Sequence, residues 1–157
     1  MTGRQVAQPT PPWLIITPWA DPVIEAVGHR PGSPYIEAVW LGTLGPSATW
    51  AWQRLARIAT TKPGLNIDTA DLATSLGLGD SLSRNAKMSR TLSRLVAFDA
   101  ARLTAESFAV RVALPDVTER QVARLSPSVR FAHDHLNRLA EVHRHRLTTA
   151  GGGGLAL

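Results

Sequence analysis

Apolar residues recur three and four positions apart over much of the chain, which is the spacing of helices with one buried face. A first helix is predicted over residues 33–44, because Ser33 and Pro34 are residue types that begin helices and Gly45 can end one. A second helix is predicted from Pro46 to about Ala59. Both are expected to contribute to the core.

Two further helices are predicted around a glycine-bearing turn. Asp68, with Asp71 three residues later, favours the start of a short helix that Gly77 ends. The next helix is predicted over about residues 83–98, and Asp80 is expected to cap it. Together they form a helix, turn and helix.

The pattern then changes to the alternation of strands. "ARL" and "FAVRVALP" flank the short polar segment 104–107, which predicts a β-hairpin. Thr118 and Gln121 fit a capping box for a short helix. Ser126 and Pro127 begin a last helix, predicted to extend to about Arg146.

The first 34 residues contain seven of the eleven prolines. They predict an arm that lies along a body rather than a helix or a regular strand. The apolar run from Trp13 to Ile16, with Trp19, is expected to dock on the domain or on a second subunit. The predicted division is a proline-rich arm (1–34), a central domain (35–125), a C-terminal helix (126–147) and a flexible glycine-rich tail (148–157).

Composition is that of an ordinary globular chain, with 44% hydrophobic and 18% charged residues. No run reaches the roughly 18 apolar residues of a membrane span, and the N-terminal apolar patch is too short and proline-broken for a signal peptide. A cytoplasmic location is therefore expected. The absence of cysteine excludes disulfides and thiolate metal sites.

The net charge is +5, and 15 of the 17 basic residues are arginine. Arginine suits phosphates and guanine edges, but a GC-rich genome also raises arginine everywhere. The placement of charge has to decide between these explanations.

The placement of the basic residues favours a ligand-binding face on the predicted helix 83–98. At about 100° per residue, its basic side chains fall within one arc of about 120°, and its apolar side chains cluster roughly 130° away. The basic set is Arg84, Lys87, Arg90 and Arg94; the apolar set is Met88, Leu92, Leu95 and Val96. A merely solvated helix usually carries acids too, and this one has none before Asp99.

From Ile67 to Leu114, about a third of the chain, this order resembles the winged helix-turn-helix family of DNA-binding domains. "IDTADLATSLGLG" matches the positioning helix and turn, "SRNAKMSRTLSRLVAF" the recognition helix, and "ARLTAESFAVRVALP" the wing. The resemblance implies a mostly α fold with a small β-hairpin: a winged helix-turn-helix domain (35–125) with an extended N-terminal arm and a C-terminal helix.

The resemblance also implies binding of double-stranded DNA, with the recognition helix entering the major groove. The candidates for base edges are Ser83, Arg84, Asn85 and Lys87. Arg90 and Arg94 are expected at phosphates, and Arg102 or Arg111 could reach the backbone from the strands. The chain departs from the family pattern in the long turn "GLGDSLSR" and in a wing tip that holds Glu106 and no basic residue.

The expected function is sequence-specific DNA binding, as a bacterial transcription regulator. The same domain would serve a replication or partition accessory protein of a plasmid or phage. Two functions without DNA are also compatible with the sequence. One is a module that binds a partner protein through the arm and the last helix, and the second is a small-molecule sensor with a pocket lined by Trp40, Trp50 and Trp52.

No enzyme motif is present, so the chain is expected to be no enzyme and to need no cofactor. The histidine pairs of the last helix lie two residues apart and point about 200° away from each other, which argues against a metal site. The same helix carries an apolar stripe that either packs on its own domain or forms a homodimer interface. The stripe consists of Val129, Ala132, Leu136, Leu139 and His143.

Overall fold

The computed structural model describes residues 8–151, which form a mixed α/β fold with seven α-helices and one four-stranded sheet. The strands are β1 (Trp13–Trp19), β2 (Leu65–Asp68), β3 (Ala101–Leu103) and β4 (Phe108–Arg111). The helices are α1 (Pro22–Val27), α2 (Leu41–Leu44), α3 (Pro46–Thr61), α4 (Thr69–Ser75), α5 (Lys87–Ala97), α6 (Glu119–Val122) and α7 (Pro127–Ala150), and a π-helix (Ile36–Trp40) directly precedes α2. The predicted hairpin is part of a larger sheet with two further strands, so the fold is mixed α/β rather than mostly α.

The N-terminal arm supplies an interior strand of the sheet. The strand order is β2-β1-β4-β3, with β1 antiparallel to β2 and parallel to β4, and β3 antiparallel to β4. Helix α1 (Pro22–Val27) also lies within residues 1–34, so the prediction that the arm forms neither a helix nor a regular strand was wrong on both counts. The prolines do not prevent the strand, because Pro12 precedes it and Pro18 lies near its end, while Leu14 and Ile16 alternate into the core.

Several helix and turn predictions with local signals are confirmed. The Asp68 carboxylate caps α4 by accepting the N–H of Asp71 at 3.1 Å. Gly77 follows α4 with a φ of 74°, a conformation that favours glycine. The predicted hairpin is β3 and β4, joined by residues 104–107.

The C-terminal helices also begin where their caps predict. The capping box of Thr118 and Gln121 starts α6, and the Ser126 hydroxyl caps α7. Helix α7 ends at Ala150, four residues later than predicted. The predicted tail therefore begins inside this helix, and residues 152–157 lie outside the described part of the chain.

Helix α5 begins at Lys87 rather than at Ser83. Residues 83–86 form a turn in which the Ala86 N–H donates to the Ser83 carbonyl at 3.0 Å. The Ser81 hydroxyl contacts both the N–H and the hydroxyl of Ser83. Short polar side chains that hydrogen-bond locally compete with helix formation, which explains the later start. Asp80 consequently does not cap α5, whose N-cap residue is Ala86.

The core lies between the sheet and helices α3 and α5. Trp52 is fully buried and its indole N–H donates to the Arg111 carbonyl at 2.8 Å. Trp40 is also buried and donates to the Pro115 carbonyl, whereas Trp50 is 60% exposed. The sensor hypothesis required one pocket lined by all three tryptophans. Two of them are instead packed in the core and the third lies at the surface.

Helix α7 packs on its own domain through its first half. Val129, Ala132 and Leu136 are half-buried against the core. Between Arg138 and Ala150 every side chain is exposed, including three large apolar residues, Leu139, Val142 and Leu147. Of the predicted apolar stripe, Leu139 and His143 are the exposed members, and the homodimer interface stays a prediction.

A buried tyrosine ties α7 to the body. The Tyr35 hydroxyl accepts the N–H of Val117 at 3.0 Å and contacts Nδ1 of His133 at 2.7 Å. Burial raises the pKa of Tyr35, so the hydroxyl stays protonated. It can therefore donate to His133 while it accepts from Val117.

The substitution Tyr35→Phe is expected to lower the free energy of unfolding by about 1–3 kcal/mol, because it leaves the buried Val117 N–H without its acceptor. Urea denaturation followed by circular dichroism measures this. The control Trp50→Phe changes an exposed aromatic residue and should stay within about 0.5 kcal/mol of the parent. Equal stabilities of the two variants would contradict the role of Tyr35.

Candidate nucleic-acid interface

One surface groove collects three of the predicted DNA-binding side chains. Lys87, Arg90 and Arg94 line it from α5, and residues 44–48 line it from the start of α3. Its volume is about 390 Å³. We call it the α3–α5 groove.

The two faces of α5 explain why these cations meet at the groove. Met88, Leu92 and Leu95 are buried in the core, so the opposite face of the helix is left at the surface. Lys87 and Arg90 lie on that opposite face and are exposed. The periodicity therefore places the basic side chains beside the neighbouring helix α3.

The start of α3 adds backbone donors to the groove. Its N-cap residue is Gly45, which has no side chain to cap the helix, and Pro46 follows. The N–H groups of Ser47 and Ala48, in the first helical turn, have no acceptor within the helix. A helix N-terminus carries a partial positive charge, and none of the nine described residues that line the groove is acidic. The α3–α5 groove is therefore suited to an anion.

Arg94 also has a structural function. Its Nε donates to the Leu44 carbonyl at 2.5 Å and its Nη2 to the Thr43 carbonyl at 2.8 Å, at the end of α2. The guanidinium lies 4.9 Å from the centre of the Phe98 ring. Arg94 thus ties α5 to α2, and only part of its guanidinium is free for a ligand.

Ser83, Arg84 and Asn85 come shortly before the groove-lining residues in the sequence, but they are not part of helix α5. All three are exposed and belong to the turn that precedes Lys87. The prediction that these three residues belong to the first half of the recognition helix was therefore wrong. They lie in the turn immediately before the N-terminus of α5.

The turn is held by Thr10 and Ser89, neither of which is among the eight predicted DNA-binding residues. The Leu82 carbonyl accepts the N–H of Thr10 at 2.9 Å and the hydroxyl of Ser89 at 3.1 Å. The hydroxyls of Thr10 and Ser89 are themselves 2.7 Å apart and buried. No local signal could reveal this contact, since Thr10 and Ser89 are separated by 79 positions.

Arg102 and Arg111 lie elsewhere, on the outer face of the sheet. Their side chains alternate with Ala101 and Val110, which face the core. Both guanidinium groups lie over the ring of Trp19, at 4.5 and 3.6 Å from its centre. The sheet therefore separates this pair from the α3–α5 groove.

Arg111 is further engaged by groups of its own chain. It pairs with the Asp21 carboxylate at 3.1 Å and donates to the Asp99 carbonyl at 2.6 Å. The backbone N–H of Ile24 and the Arg111 guanidinium hold the pKa of Asp21 below its usual value. These contacts give Arg111 a structural function, linking α1, β4 and the loop after α5.

Metal-binding and membrane-spanning features are absent from residues 8–151. No group of three acidic or histidine side chains in this range is arranged to hold a metal ion. No helix in the same range combines the length and apolar character that crossing a bilayer requires.

Comparisons with protein-family models, with curated proteins and with solved structures give no match for this chain. Its function therefore has to be inferred from the α3–α5 groove and the turn beside it.

Proposed function

We propose that the chain binds double-stranded DNA and is not an enzyme, with backbone phosphates held by the cations of the α3–α5 groove. The observation that carries the proposal is the convergence of Lys87, Arg90 and Arg94 on the uncapped start of α3, with no acidic residue in the groove lining. Basic side chains and helix N-termini are the groups that contact DNA phosphates.

The order of elements supports a winged helix-turn-helix arrangement. Helix α4, the turn 76–86, helix α5 and the β3–β4 hairpin follow one another as the positioning helix, turn, recognition helix and wing do in that family. Two features are unlike the family pattern: the long turn, and the loop 104–107 with its acidic Glu106 and no basic residue. We therefore assign DNA contact to α5 and the turn and not to the wing.

The proposed contacts divide into two kinds. Lys87 and Arg90 bind phosphates, which adds affinity but reads no sequence. Ser83, Arg84 and Asn85 offer hydroxyl, guanidinium and amide groups at the tip of the turn, and these suit base edges in the major groove. A transcription regulator is the role we propose, and a replication or partition accessory protein would use the same contacts.

The test is the fluorescence anisotropy of a labelled duplex of random sequence, titrated with the protein at a low and a higher salt concentration. Because two to three cations meet phosphates, the logarithm of the binding constant should fall with that of salt with a slope of roughly −2 to −3. A duplex that stays free even at low salt would contradict the proposal. That result would instead favour the protein-interaction module, for which Trp13, 56% exposed on β1, is the first surface to examine.

A further inference from the structure

A second cavity, of about 440 Å³, lies against the face of α5 opposite to the groove. Ser89, Leu92, Ser93 and Val96 line it, whereas Lys87, Arg90 and Arg94 line the α3–α5 groove. The other walls are residues 8–11, which we call the strap, together with Leu14 of β1 and the β3–β4 hairpin. The cavity therefore lies between α5, the hairpin that follows it, and an N-terminal segment that is far from both in the chain.

The lining of this cavity is chemically unlike that of the groove. Most of it is aliphatic or aromatic, including Leu14, Leu92, Leu103 and Phe108. The polar lining residues are Gln8, Thr10, Ser89 and Ser93, and none of the described lining residues is charged. Thr10 and Ser89 use their hydroxyl protons on each other and on the Leu82 carbonyl, so the Ser93 hydroxyl and the Gln8 amide are the donors offered to a ligand. An ionic ligand would lose its hydration there without gaining a partner of opposite charge.

The cavity is a cleft that is open to solvent on one side, where Leu103 is 60% exposed. Its volume falls within the roughly 300–1,000 Å³ typical of small-molecule sites, which are mostly apolar with a few polar groups. We infer that this cavity binds a small, uncharged and largely apolar molecule that carries a hydroxyl or carbonyl group. The apolar part contacts Leu92, Val96 and Phe108, and the polar group faces the Ser93 hydroxyl and the Gln8 amide.

Such a ligand would also act on the turn that precedes α5. Thr10 of the strap holds the Leu82 carbonyl and contacts the Ser89 hydroxyl. A molecule that packs against the strap therefore stabilises the backbone next to Ser83–Asn85. An effect on DNA binding rests on the proposed function, whereas occupation of the cavity does not.

The experiment titrates the full chain with N-phenyl-1-naphthylamine, an uncharged apolar fluorophore that brightens when it leaves water. The expected result is a saturable, one-to-one increase in fluorescence. Leu103→Glu places a carboxylate at the cavity and should weaken binding about tenfold or more. Leu147→Glu is the matched control, because Leu147 is also 60% exposed but lies on α7, which contributes no residue to the cavity lining. This control should leave probe binding unchanged.

A second variant, Ser93→Phe, fills the cavity from a half-buried position and should abolish probe binding with the far-ultraviolet circular dichroism unchanged. Binding that does not saturate, that survives both Leu103→Glu and Ser93→Phe, or that weakens equally in Leu147→Glu would overturn the inference. The probe titrations contain no DNA. Failure of the wild-type protein to bind a duplex in the separate anisotropy experiment would therefore overturn the proposed function and leave the probe results unaffected.

Discussion

The substitution Ile16→Ala is expected to lower the free energy of unfolding by about 2–5 kcal/mol, the range for large-to-small changes in a core. Ile16 is fully buried, and its strand β1 lies inside the sheet. It pairs with Leu65 of β2 on one side and Phe108 of β4 on the other. Removing its side chain leaves a cavity where the two halves of the sheet meet, and chemical denaturation followed by tryptophan fluorescence measures the loss.

The neighbouring residue provides the control. Ile15 is 40% exposed and points to the outer face of the same strand. Ile15→Ala should therefore cost less than about 1 kcal/mol, as surface substitutions usually do. Equal losses for the two variants would mean that the strand has a different register or no fixed face.

The double substitution Lys87→Ala and Arg90→Ala is expected to weaken duplex binding by about a hundredfold or more at low salt. A hydrogen bond to a charged group contributes about 1.5–3 kcal/mol, and two are removed. The slope of log affinity against log salt should also fall by about 2, close to one for each phosphate contact. Anisotropy titrations at several salt concentrations give both quantities.

The matched control is Arg57→Ala with Lys62→Ala, which also removes one arginine and one lysine. Both side chains are exposed and lie towards the other end of α3. That end is roughly 24 Å from the start of the helix, at about 1.5 Å per residue. The control should bind DNA nearly as the parent does. If both double variants lost the same affinity, the overall charge of the protein would explain binding and the groove would not.

The elements that could be predicted from sequence are those with local signals. Asp68, Thr118 and Ser126 cap their helices as expected, because a cap depends on residues within one turn. Strand β1 could not be found in this way, because its partners are about 50 and 90 positions away and prolines flank it. Strand β2 is short and depends on β1 for its pairing.

The site was predictable to a similar extent. Helical periodicity alone placed Lys87, Arg90 and Arg94 on one face. That the start of α3 forms the other wall of the groove follows only from tertiary packing. Arg102 and Arg111 were expected to reach the DNA backbone from the strands of the wing, but strand alternation and the ring of Trp19 hold them on the far side of the sheet.

Amide chemical-shift mapping would locate the DNA contact residue by residue. ¹⁵N-labelled protein is titrated with a short duplex, and the shift of each backbone amide is followed. We expect the largest changes over Ser83–Arg90 and at Ser47 and Ala48, which form the opposite wall of the groove. Largest changes around Trp19 and Arg102, or along the exposed half of α7, would contradict DNA binding at the α3–α5 groove.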